Sequence, residues 1–123
     1  MLNLRIFSYR WLAYGWLVFI SILFILPGSA IPHSSWFTLV YLDKWVHIFL
    51  FAVLVFLWRS ALLFPRHAIT LVALSLSYGI LVEFVQEYWV PNRSFDVYDM
   101  AADLAGSILG ILIWGWGKKN KPL

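Results

Sequence analysis

Residues 68–110 read AITLVALSLSYGILVEFVQEYWVPNRSFDVYDMAADLAGSILG. Two apolar runs flank a short polar stretch, Pro91-Asn92-Arg93-Ser94. Crossing about 30 Å of hydrocarbon takes roughly 20 helical residues. The runs reach that length only when their polar ends are counted. Glu83, Gln86 and Glu87 close the first run, and Asp99 and Asp103 open the second. These carboxylates therefore sit on helices, at the ends that meet across the connection. Apolar helices with acids gathered where they join imply an all-α integral membrane protein.

The same pattern continues upstream. An apolar run opens with Asp43, Lys44 and His47 and stops at Pro65. Another follows Arg10 and stops at Pro27-Gly28. The expected architecture is one membrane domain over residues 1–123, a bundle of four spans at about 11–26, 44–64, 68–88 and 99–116. Composition agrees, with 63% hydrophobic and only 12% charged residues. Soluble domains carry about 25% charged residues, so this chain lacks the charge to cover a small water-facing surface. The aromatic share of 20% also excludes disorder. The first run has a second reading as a secretory signal, with Arg5 and Arg10 before it and Gly28-Ser29-Ala30 as a cleavage site. Its bulky aromatics and the three spans that follow favour a retained helix, with Tyr9 and Trp11 at an interface.

Seven of the nine basic residues lie at the N-terminus (Arg5, Arg10), in the second connection (Arg59, Arg66) and at the C-terminus (Lys118, Lys119, Lys121). The positive-inside rule puts both termini in the cytoplasm. Only Lys44 and Arg93 remain for the other side. The net charge of +3 thus reports topology and contact with lipid headgroups, and no nucleic-acid partner is expected. With no cysteine, thiol catalysis and cysteine–metal sites are excluded.

All six acids, Asp43, Glu83, Glu87, Asp96, Asp99 and Asp103, fall on the extracytoplasmic side. Asp43 and His47, Glu83 and Glu87, and Asp99 and Asp103 are i, i+4 pairs, each on one helical face. His47, Glu83 and Asp103 are the deeper members, about 5–6 Å further in by helix rise. Ionisable groups at such depth face protein or water and mark functional sites. A polar pocket at the extracytoplasmic face is the expectation, with Asp43, Lys44, His47, Glu83, Gln86, Glu87, Arg93, Ser94, Asp96, Asp99 and Asp103 as binding residues. Helix capping is the competing account. It covers Asp43, Asp96 and Asp99. It fails for Glu83, near a helix C-terminus with the wrong sign for the dipole, and for Asp103. Arg93 is expected to pair with Glu83 or Glu87, or to bind a phosphate or carboxylate. Ala102, Gly106 and Gly110 form a small-xxx-small stripe for close helix packing, within the chain or between copies.

The order Asp43-Lys44-x-x-His47, Glu83-x-x-Gln86, Arg93-Ser94-Phe95-Asp96-x-x-Asp99, then Gly106 and Gly110, resembles the VanZ-like membrane protein family over about residues 40–115. The first helix fits in hydropathy only. The resemblance implies a small multi-helix protein of the bacterial cytoplasmic membrane. The family's namesake is associated with resistance to teicoplanin, a lipoglycopeptide that binds the D-Ala-D-Ala end of cell-wall precursors. The family pattern usually has Asn where this chain has Asp103, so a titratable group is added here.

Three functions are expected to compete. The first is a cell-envelope protein that binds a lipid, or a lipid-linked cell-wall precursor, and alters sensitivity to such antibiotics. The second is a membrane-embedded hydrolase or transferase acting on an envelope lipid, with Glu83, His47, Asp99 and Asp103 as candidate catalytic groups. The third is a structural or transport homo-oligomer joined through the fourth helix. No cofactor is expected. His47, Glu83, Glu87, Asp99 and Asp103 nevertheless suit a divalent cation, although no compact ligand motif is present. Phosphate-binding glycine loops and a G-x-S-x-G nucleophile elbow beside Ser94 are absent.

Overall fold

The computed structural model describes residues 2–27, 42–61 and 67–119. All regular structure among them is helical: α1 (Leu2–Ile25), α2 (Leu42–Ser60), α3 (Ala68–Trp89) and α4 (Val97–Lys119). The Gly28-Ser29-Ala30 cleavage motif, Arg66, Lys121 and the 62–64 end of the second expected span lie outside the described residues.

Three helices are long and apolar enough to cross a membrane: α1 over Ser8–Ile25, α3 over Ala68–Trp89 and α4 over Val97–Gly117. α2 differs because Asp43, Lys44 and Arg59 lie within its 19 residues. It is also the helix most enclosed by the others. Leu50, Phe51, Ala52, Leu54 and Val55 are all buried on it. Ile20 and Phe24 of α1 join Leu50, Phe51 and Leu54 in the core, flanked by Trp16, Leu17, Trp58, Tyr78 and Val82. Outward-facing positions stay apolar, among them Trp11, Val18, Ile69, Leu81, Ile113 and Trp116. Bulky apolar residues on the outside suit lipid as the solvent.

α1 starts about two and a half turns before the apolar run that begins at Trp11. Its polar first turns are helical too, and an apolar run marks only the part suited to hydrocarbon. α1 ends where Pro27 removes a backbone donor. α3 ends at Val90, held extended ahead of Pro91. Asn92 then turns the chain at a positive φ of 60°, a conformation Asn tolerates better than most residues. α4 begins on Asp96, whose Oδ1 accepts the Tyr98 N–H at 2.9 Å, an N-cap.

α2 and α4 make the tightest helix pair. A Cβ on Gly106 would run into the Ile48 carbonyl oxygen, and one on Gly110 would lie 2.5 Å from the Ala52 oxygen. Only glycine lets the two backbones approach so closely. The small-residue stripe of α4 is therefore used within the chain, and Ala102 is buried with it.

Candidate functional site

The C-terminal ends of α1 and α3 and the N-terminal ends of α2 and α4 gather at the end of the bundle that carries the α3–α4 connection. There the acids sit in two connected groups.

The upper group is built on Lys44. Its Nζ donates to Asp43 Oδ2 at 2.6 Å, Asp96 Oδ2 at 2.6 Å and Asp99 Oδ1 at 2.7 Å. One ammonium thus ties the start of α2 to the N-cap and first turn of α4. All three of its protons are used, which matches its capacity. Burial pushes the Asp96 carboxyl upward. The hydrogen bond from Lys44 and that from the Tyr98 N–H outweigh it and hold Asp96 below its ordinary value.

The lower group is buried. His47 Nδ1 lies 2.7 Å from Asp103 Oδ1. With Asp103 ionised and the imidazole neutral, Nδ1 carries the proton and donates it, which leaves Nε2 with a lone pair. Asp99 Oδ2 lies 3.7 Å from that Nε2. Glu83 is fully buried, and its Oε2 accepts the Asp96 N–H at 3.0 Å. Its Oε1 is buried with no hydrogen-bond partner among the described residues. Oxygen or nitrogen atoms of His47, Glu83 and Asp103 all lie within 4.8 Å of one another. Asp103 fits because the facing residue is Gly79, where a Cβ would come within 2.5 Å of Asp103 Oδ2.

The remaining site candidates serve the connection. Gln86 Nε2 donates to the Phe24 carbonyl at 3.0 Å. Glu87 Oε2 accepts the Phe95 N–H at 2.6 Å. Arg93 departs from the expectation of an ion pair with Glu83 or Glu87. It donates to the carbonyls of Leu26 (3.2 Å) and Leu23 (3.4 Å) at the end of α1. Those carbonyls close α1, where the Leu23 oxygen also accepts the Leu26 N–H at 3.3 Å, and they carry the negative end of the helix dipole, which makes them good acceptors for a guanidinium. Partial burial pulls Arg93 below its ordinary value, against the raising effect of Asp99 and Glu83. Ser94 is exposed.

Several contributors have no distinctive sequence signal. Ser75 and Ser107 share a buried 2.7 Å hydrogen bond below Asp103, and Ser107 Oγ donates to the Asp103 carbonyl at 2.8 Å. Ser21 bonds Tyr78 at 2.6 Å across the α1–α3 gap. Gly79 interrupts an apolar helix, and that interruption was a readable cue for a close approach.

Two apolar cavities lie along the bundle, the smaller of them beside this polar end. One, of about 230 Å³, is lined by Leu17, Leu54, Val55, Trp58, Leu71, Leu74, Ser75 and Tyr78. The other, of about 150 Å³, is lined by Ser21, Phe24, Ile25, Tyr78, Leu81, Val82 and Val85. Both touch Tyr78, so they run along the same side of α3. Phe24 also stacks on His47, with ring centroids 5.1 Å apart. The apolar cleft and the buried polar group therefore meet at that ring.

Fold and site together define a small all-helical protein of membrane type, with a buried ionisable cluster at one end of its bundle. The chain belongs to the VanZ/LLP1 family, which it matches over residues 2–117. No curated protein and no solved structure matches it.

Proposed function

We propose that this chain is a cell-envelope protein of the bacterial cytoplasmic membrane that binds a lipid or lipid-linked headgroup. All four helices span, both termini are cytoplasmic, and the polar end faces outward as one part of a single domain. The observation that carries this reading is the meeting of an apolar cleft with the ionisable cluster at Phe24. A lipid needs both surfaces side by side, one for a tail and one for a head. Arg93 and the rim acids Asp43, Glu87 and Asp96 offer polar contacts at the mouth, Lys44 holds Asp43 and Asp96 in place, and Glu83, His47 and Asp103 form the floor. Altered sensitivity to lipoglycopeptides such as teicoplanin would follow if the lipid were a cell-wall precursor.

Native mass spectrometry of protein purified with its own lipids tests this. Wild type should retain a phospholipid or polyprenyl species that the double variant Glu83→Ala, Arg93→Ala loses. A wild type with no bound lipid, or a variant that keeps it equally, would reject the reading.

One observation favours catalysis on the same lipid. The His47–Asp103 contact is the arrangement by which a carboxylate orients an imidazole for acid–base work. Turnover of an envelope lipid that His47→Gln abolishes, with binding retained, would identify an enzyme.

A further inference from the structure

We propose that the buried pair His47 Nε2 and Glu83 holds a divalent first-row cation, with Asp99 drawn in from 3.7 Å as the third ligand and Asp103 as the group that orients His47.

Three observations converge. The first is Glu83 Oε1, buried inside a fully buried side chain and left without a partner among the described residues. An ionised oxygen there needs a donor or a cation. The second is the spacing of His47 Nε2 and Asp99 Oδ2. At 3.7 Å they are too far apart for a hydrogen bond. Two ligands at about 2.1 Å from one metal stand roughly 3.0–3.5 Å apart, so a small inward shift places both on one ion. The third is the Asp103–His47 contact at 2.7 Å. A carboxylate on the far nitrogen is the usual support for a metal-bound imidazole, because it fixes the tautomer and the ring.

Charge points the same way. Among the described residues, Asp43, Glu83, Asp96, Asp99 and Asp103 face two permanent cations, Lys44 and Arg93. Lys44 already occupies the centre of the Asp43, Asp96 and Asp99 group, so that group is not the metal site. The buried group below it has no such cation among the described residues. One imidazole with two carboxylates suits Zn²⁺ or Mn²⁺.

The test uses full-length protein, purified in detergent without a polyhistidine tag, stripped with chelator and delipidated. Its result is therefore independent of lipid binding. Zn²⁺ is titrated calorimetrically, and Mn²⁺ by loss of the free-ion electron paramagnetic resonance signal. Wild type should take up about one ion per chain and gain thermal stability from it. Glu83→Gln should abolish uptake while keeping the unfolding midpoint of the metal-free protein. Asp103→Ala should weaken binding about 10- to 100-fold. Asp103→Asn still offers His47 an acceptor and should recover part of that loss. Ser77→Ala, exposed on α3, should bind as wild type does. If wild type takes up neither ion at millimolar concentration, the proposal falls, and Glu83 Oε1 is served by water. If Glu83→Gln binds as wild type does, the ions sit on the rim acids and the proposal falls equally.

Discussion

The Asp96 carboxylate accepts from Lys44 Nζ through one oxygen and from the Tyr98 N–H through the other. It therefore couples the cap of α4 to the start of α2. Its pKa lies below the ordinary value in the folded protein. The unfolded chain therefore binds this proton first as pH falls. The stabilisation is complete above the ordinary carboxyl value of about 3.9 and is lost as pH drops through the lower folded value. Asp96→Asn retains a good N-cap and removes the charge. Its unfolding midpoint in detergent should fall below that of wild type at pH 6, and the gap should narrow toward pH 3. A gap that stays constant over that range would show that Lys44 gains nothing from the charge. The capping role was legible from Asp96 and its position before an apolar run. The partners of Lys44, 52 and 55 residues away, were not. Arg93 shows the same limit. Charge pairing suggested Glu83 or Glu87, yet the nearest acceptors are α1 carbonyls, which carry no mark in a sequence.

At the level of helices, glycine decides how α2 and α4 meet. Gly106 and Gly110 lie against the Ile48 and Ala52 carbonyls, whereas Gly115 and Gly117 on the same helix face open space. Gly106→Ala should destabilise the protein by about 1–3 kcal/mol, the usual cost of overpacking. Gly115→Ala should be neutral or stabilise by up to about 1 kcal/mol, because it relieves only the entropic weakness of glycine in a helix. Unfolding midpoints of the two variants, compared in one detergent, separate these outcomes. Equal effects would mean that the α2–α4 contact is looser than described. The stripe itself was readable from its four-residue spacing. Its partner was not, because spacing shows that a helix packs closely without showing against what.

Across the whole molecule, the proposed four-span topology makes a direct prediction. The chain has no cysteine, so single introduced cysteines report without background. Ser94→Cys, exposed in the α3–α4 connection, should react with a membrane-impermeant maleimide in intact cells. Gly117→Cys, near the end of α4, should react only after the membrane is opened. The reverse pattern would invert the protein, and labelling of both in intact cells would rule out an α4 that spans.

Hydropathy and the placement of charge determined the helical class, the apolar runs and the acidic character of one end. These are local quantities, summed over neighbours in the chain, and the solvent acts on them directly. Only the tertiary structure decided which acid meets which base. It put three carboxylates on Lys44, placed His47 between Asp103 and Asp99, and left one oxygen of Glu83 without a partner among the described residues. Those outcomes depend on helix rotation and approach to within an ångström. That precision comes from the Gly106 and Gly110 contacts and from the space that Gly79 leaves for Asp103. Hydrogen bonds and metal ligation fall off steeply over that distance, so the chemistry of the site is decided by packing between residues far apart in the chain.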